Sequence, residues 1–124
     1  MQDFVTAAEL HVLAAAAGDA VALGNLSDYR NDLHKIALGG NPSASLSLAT
    51  IYDQGLVVEK DEATALAWLR WGRGYCTQDA ADHVRRDLEQ MESVYSATAS
   101  AAVKMRADDL LMEMNSAREA SSQL

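Results

Sequence analysis

The chain has 124 residues, of which 49% are hydrophobic, and this is enough for one domain with a real core. Its 18 acidic and 10 basic residues give a formal net charge of -8, which disfavours unspecific binding to nucleic acid or an anionic membrane and favours either solubility or a basic partner. A single cysteine, Cys76, excludes an intrachain disulfide, and neither a membrane span nor a signal peptide is visible, so the sequence predicts a cytoplasmic protein.

The first predicted element is a helix over residues 1–17 that ends at Gly18. Its apolar face is formed by residues at helical spacing: Val5, Ala8, Val12 and Ala15. The small and apolar residues that follow Gly18 have the same spacing as those that follow Gly40. This recurrence predicts a degenerate helical repeat before the clearer one, in which Ser27 or Asn31 caps a short second helix through Leu38.

The segment over residues 40–74 predicts an antiparallel helix hairpin. Asn41 followed by Pro42 is a strong helix start, because the Asn side chain accepts from free amides and Pro is tolerated in the first turn. Gly55 suits the left-handed residue that ends a helix, and Asp61 suits the N-cap of the next one. Each helix carries an apolar stripe, so we expect the two helices to pack together.

This segment resembles the Sel-one-like repeat (SLR), a relative of the tetratricopeptide repeat (TPR) that occurs in bacteria and eukaryotes. The residues at the family's spacing are Gly40, Ala44, Leu48, Ala49, Tyr52, Gly55, Val58, Asp61, Ala65 and Trp68. The resemblance implies an all-α, TPR-like fold, a short α/α superhelix of antiparallel helix hairpins with a C-terminal capping helix. It also implies that the first helices line a concave protein-binding groove, here with Ser43, Ser47, Thr50, Asp53 and Gln54.

The sequence departs from the repeat at two places. Val57 stands where the family usually has a second glycine, which predicts an altered turn. Gly72 and Arg73 replace an alanine pair that usually closes the second helix, so we expect that helix to end early.

The remaining residues are predicted to form capping helices over 75–115 and a frayed tail over 116–124. Thr77 is a candidate N-cap for a helix to about Glu92, and a second helix is expected to begin near Ser93. This second helix has two apolar stripes that cannot both face one core, Val94, Ala97, Ala101 and Met105 on one side and Val103, Ala107, Leu110 and Met114 on the other. The alternative is one continuous helix over 78–115, whose spare face would favour a homodimer.

Catalytic motifs are absent from the sequence, and we expect no enzyme, no metal and no cofactor. A metal could be bound by the acidic cluster around His83, which comprises Asp79, Asp82 and Asp87, but a solvated helix face explains the same spacing. Cys76 has no cysteine partner, and His34 is expected to be a surface or packing residue.

Trp71 and Tyr75 form a candidate aromatic patch for protein binding, and the alternative for Trp71 is packing beneath the C-terminal helices. We therefore expect a non-catalytic adaptor, chaperone or regulatory subunit that binds a protein partner. The alternative is an acidic immunity-type inhibitor that covers the basic active site of a toxin. A metal-dependent enzyme that uses His83 ranks last.

Overall fold

The computed structural model describes the backbone over residues 2–76 and 82–122, and the side chains over residues 7–76 and 82–120. Six helices form the described part of the chain, which contains no strand, so the all-α prediction is confirmed. They are α1 (Gln2–Ala16), α2 (Ala20–Leu38), α3 (Pro42–Gln54), α4 (Glu62–Gly74), α5 (Asp82–Thr98) and α6 (Ala101–Ser122). None of these helices combines the length and the apolar character that a bilayer span needs.

The first two helices differ from the predicted arrangement in one respect. The face predicted for α1 is buried at Ala8, Val12 and Ala15, but the segment after Gly18 is one helix, not two. Asp19 caps α2, since its carboxylate accepts from the amides of Val21 and Ala22 at 2.9 and 3.1 Å.

The predicted helix break at Ser27 or Asn31 is wrong, and both residues are exposed within α2. Helical spacing places four apolar residues of α2 on one stripe that passes through the expected break, and these four are buried: Ala22, Leu26, Leu33 and Ala37. Burial of the whole stripe therefore outweighs the preference of Ser and Asn for a cap.

The central hairpin forms as predicted. Asn41 accepts from the amide of Ala44 at 3.0 Å, and Asp61 accepts from the amide of Thr64 at 3.1 Å, so each residue caps its helix. Gly55 ends α3 with φ +67° and ψ +42°, a left-handed conformation that glycine adopts without strain. Trp68 is buried between the helices, which places the apolar stripe of α4 in the core.

Helix α4 does not end early, and the prediction that Gly72 and Arg73 would shorten it is wrong. The helix continues to Gly74, and Gly72 lies at a close approach of α4 to its neighbours. A Cβ at Gly72 would lie 2.9 Å from the Cβ of Ser45 and 3.1 Å from Cδ2 of Leu88. The absent side chain therefore allows α3 and α5 to pack tightly against α4.

The C-terminal segment contains two helices, but their boundary and end differ from the prediction. The break lies at Ala99 and Ser100, not at Glu92 and Ser93, and the hydroxyl of Ser100 accepts from the amide of Val103 at 3.2 Å. The alternative of one continuous helix over 78–115 is also wrong. Helix α6 extends to Ser122, so the described part of the predicted frayed tail is helical. The predicted cap at Thr77 lies outside the described residues.

Each helix from α1 to α5 contacts the next one along the chain. Helix α3 also contacts both α1 and α5, and its most extensive contact is with α4. Helix α6 packs chiefly against α4, where it buries Ala107 and partly buries Leu110 and Met114. Arg70 of α4 joins this assembly by ion pairs to Glu92 of α5 at 3.8 Å and to Asp108 of α6 at 2.6 Å.

Candidate functional site: a cleft between α1, α3 and α5

A cleft with a volume of about 500 Å³ lies between α1, α3 and α5. It is open to solvent, and each helix contributes one wall or the floor. Its lining residues are Glu9, Val12 and Leu13 from α1, Leu46, Ser47, Thr50 and Asp53 from α3, and His83, Asp87, Gln90, Met91, Val94 and Tyr95 from α5.

The cleft has exposed apolar side chains on its two walls. Leu13 of α1 is 68% exposed and Val94 of α5 is 57% exposed, although both are large hydrophobic residues. Between them, Val12 and Tyr95 are buried and Leu46 is partly buried. An apolar concave surface that is open to water is typical of a binding site.

The predicted groove residues divide into two groups. Ser47, Thr50 and Asp53 line the cleft, whereas Ser43 and Gln54 are not among its lining residues. The three that line it are largely engaged by the fold itself. Ser47 is buried, the Thr50 hydroxyl donates to the carbonyl of Leu46 at 3.0 Å, and Asp53 accepts from the hydroxyl of Tyr95. These groups therefore serve mainly to build the floor of the cleft.

Tyr95 is a site residue that the sequence analysis did not identify. Its hydroxyl bonds to Asp53 and so connects α5 to α3 beneath the cleft. Burial, and then the hydrogen bond to the Asp53 carboxylate, raise the pKa of the Tyr95 phenol, which keeps it protonated as the donor. Tyr95 therefore helps to set the spacing between two of the helices that form the site.

The α5 wall also includes Val94, which belongs to the apolar stripe that was expected to compete for the core. Val94, Ala97, Ala101 and Met105 are all exposed, so this stripe does not face the core. The position of Val94 outside the core-facing stripe was thus a sequence signal for the cleft. The residue of α1 that lines the opposite wall could not be identified without the fold.

The lining of the cleft is acidic. Glu9, Asp53 and Asp87 contribute carboxylates from all three helices, and His83 adds an imidazole. Among the lining residues that the structure describes there is no lysine and no arginine. The cleft therefore offers negative charge next to apolar surface.

The predicted aromatic patch is not an exposed surface. Trp71 is 3% exposed, and its indole Nε1 donates to the carbonyl of Ala37 at 2.7 Å. Tyr75 is half-buried, with its ring centroid 5.0 Å from that of Trp71, and the guanidinium carbon of Arg118 lies 4.4 Å from the Tyr75 ring. Trp71 is therefore a buried packing residue that contacts α2 and Tyr75.

The cluster around His83 is only partly described, because Asp79 lies outside the described residues. Asp82, His83 and Asp87 are exposed on α5, and among the side chains described over 7–76 and 82–120 no group of three or more is placed to hold a metal ion. Cys76 is half-buried, and burial raises the pKa of its thiol, which disfavours the thiolate that a nucleophile needs.

Comparison with known proteins identifies no matching family model, no similar curated protein and no similar solved structure. The resemblance to the Sel-one-like repeat therefore depends on the motif over residues 40–74 and stays a prediction.

Proposed function

We propose that this chain is a non-catalytic protein-interaction module of the Sel-one-like repeat type that holds a segment of a partner protein in the cleft between α1, α3 and α5. The observation that supports this function is the pair of exposed apolar side chains, Leu13 and Val94, on two walls of one concave surface. Uncovered apolar groups in a cleft favour binding because a partner removes them from water. The proposal includes a cytoplasmic adaptor, chaperone or regulatory subunit.

An immunity-type inhibitor is the second candidate, and the acidic lining of the cleft favours it. Three carboxylates line the cleft, and the whole chain has a formal net charge of -8. Such a surface would be steered toward the basic active site of a toxin and would cover it. The two candidates share the cleft but differ in the identity of the partner.

The experiment is capture from the native host with three immobilised forms of the chain: wild type, Leu13→Asp and Leu10→Asp. Leu10 is a matched control because it lies on the same helix, is 63% exposed and is not among the residues that line the cleft. The captured protein is then purified, and its affinity for each form is measured by titration calorimetry. We expect Leu13→Asp to weaken binding at least about tenfold, or about 1.4 kcal/mol, and Leu10→Asp to leave it unchanged.

The identity of the captured protein separates the two candidates. A toxin whose activity is blocked by the wild-type chain supports the immunity-type inhibitor, and any other specific partner supports the adaptor. A partner that binds all three forms equally would place binding outside the cleft. If light scattering shows a dimer that Leu13→Asp dissociates, the cleft is instead a self-association surface.

A further inference from the structure

We infer that the cleft accommodates a single amphipathic helix that carries lysine or arginine beside its apolar face. The inference rests on the proposed function and names the chemical class of the partner segment.

The hydrogen bonds that the residues of the cleft already make within the fold indicate the conformation of the bound segment. Its floor and both walls are helices, whose backbone groups are bonded within each helix. The hydroxyl of Thr50 is bonded to its own helix and the carboxylate of Asp53 to Tyr95. The other polar side chains of the described lining, apart from the buried Ser47, are Glu9, His83, Asp87 and Gln90, which belong to α1 and α5, and this lining has no free strand edge that could pair with an extended backbone. An extended peptide would turn unpaired amides toward the apolar side chains of the cleft, which is unfavourable. A helix pairs its own backbone groups and avoids this cost.

The apolar surface matches one face of such a helix. Leu13 lies on the α1 wall, Met91 and Val94 lie on the α5 wall, and Leu46 belongs to α3; Met91 and Leu46 are partly buried. Side chains at positions i, i+3 or i+4, and i+7 of a bound helix form a stripe that can enter a groove of this kind. The volume of about 500 Å³ suits a few large side chains and not a folded domain.

The charge of the flanking residues follows from the carboxylates of the walls. Glu9 lies on α1 and Asp87 on α5, so negative charge lies on both sides of the apolar surface. No lysine or arginine accompanies them in the described lining. A helix with cationic residues beside its apolar stripe complements this pattern, whereas an acidic helix with the same stripe is repelled.

The experiment is a selection from three displayed peptide libraries of equal length against the whole chain. The first encodes helices with an apolar stripe flanked by Lys and Arg, and the second keeps the stripe but uses Asp and Glu. The third keeps the composition of the first but includes prolines that prevent a helix. Selected peptides are synthesised, and their binding is measured by fluorescence anisotropy while circular dichroism follows their helix content.

We expect peptides from the first library alone to be enriched and to gain helix on binding. Their affinity should fall at least about tenfold with Leu13→Asp and with Asp87→Lys. The matched controls, Leu10→Asp and Asp109→Lys, change the same residue types at exposed positions outside the cleft and should leave the affinity unchanged. Thermal unfolding of each variant tests that the fold is retained.

Three outcomes would overturn the inference. Binders from the proline library that need Leu13 would show that the cleft holds an extended peptide. Binders from the acidic library that need Leu13 would show that the charge beside the apolar stripe does not determine which peptides bind. Both of these results leave the proposed function intact because the cleft is still used. Enrichment from none of the libraries also overturns the inference, and capture of the host partner then decides the proposed function independently.

Discussion

Val57 stands in the turn between α3 and α4 at the position where the Sel-one-like repeat usually carries a glycine. Its φ is +56°, and no other non-glycine residue of the described chain has a positive φ. For a β-branched residue this conformation brings the Cβ close to the backbone and costs about 1–2 kcal/mol. The turn between α3 and α4 thus contains a residue with a strained backbone.

We predict that Val57→Gly stabilises the protein by about 0.5–1 kcal/mol. Relief of the backbone strain exceeds the entropy that glycine adds to the unfolded chain, which is about 0.4–1 kcal/mol. The measurement is the free energy of unfolding in urea. Val58→Gly is the control, because Val58 has no positive φ and packs against the core, so this change should destabilise. Equal effects of the two changes would contradict the prediction.

Gly72 and Gly24 form a second test at the residue scale, since both lie within helices but in different surroundings. A Cβ at Gly72 would meet Ser45 and Leu88 at 2.9 and 3.1 Å, whereas a Cβ at Gly24 would meet nothing within 4 Å. Gly24→Ala should therefore stabilise by about 1 kcal/mol through helix propensity. Gly72→Ala should destabilise by about 1–2 kcal/mol because overpacking outweighs the same gain. Thermal unfolding of the two variants checks this, and stabilisation by both would show that the close approach at Gly72 relaxes freely.

At the scale of elements, α6 shows how packing decides between two faces of one helix. Ala101 and Met105 lie on one face of α6, and Val103, Ala107, Leu110 and Met114 lie on another, whereas Val94 and Ala97 of the predicted first stripe belong to α5. The stripe that contains Ala107 packs against α4, and the stripe that contains Met105 faces solvent. The ion pair between Arg70 and Asp108 is consistent with this orientation, because Asp108 is adjacent to Ala107 in the helix.

We predict that Ala107→Asp destabilises the protein by at least about 3 kcal/mol, since it places an unpaired charge against α4. Met105→Asp is the matched control on the same helix. Met105 is 68% exposed, so its replacement should change the free energy of unfolding by less than about 0.5 kcal/mol. Urea unfolding followed by circular dichroism measures both. If Met105→Asp were the more harmful change, α6 would present the other stripe to the core.

At the scale of the whole molecule, His34 marks the meeting point of three helices. It belongs to α2, its Nε2 lies 3.2 Å from the hydroxyl of Tyr52 in α3, and its ring centroid lies 5.2 Å from that of Trp68 in α4. It also borders a smaller hollow of about 340 Å³ beneath α6, with Lys35 and Glu113 among the lining residues. Burial, and then the positive charge of Arg30, lower the pKa of His34.

This lowered pKa predicts a loss of stability in mild acid. The folded state favours neutral His34, so its contribution is complete above the unfolded pKa of about 6.5 and is lost as the pH falls from there toward the lower folded pKa. We expect the free energy of unfolding to fall between about pH 7 and pH 5.5, and His34→Gln to flatten this fall. The exposed His83 provides the control variant His83→Gln, which retains His34 and should keep the fall. An unchanged pH profile in His34→Gln would assign the fall to other groups.

The sequence by itself determined the central hairpin, because its signals are local. Asn41 and Pro42, Gly55 and Asp61 act on backbone groups within a few residues, so their effect does not depend on distant parts of the chain. The groove residues came instead from the resemblance to the Sel-one-like repeat, and of these Ser47, Thr50 and Asp53 line the cleft, whereas Ser43 and Gln54 do not.

Only the tertiary structure decided the features that depend on contacts between distant helices. Helix α2 continues past two candidate caps because its apolar stripe is buried along the whole helix. Helix α4 continues through Gly72, where the missing side chain lets α5 pack closely against it. The burial of Trp71 and the meeting of Leu13 with Val94 in one cleft likewise join residues far apart in the sequence. Local spacing shows which residues of a helix share a face, but the face that becomes core or cleft depends on which other helices pack against it.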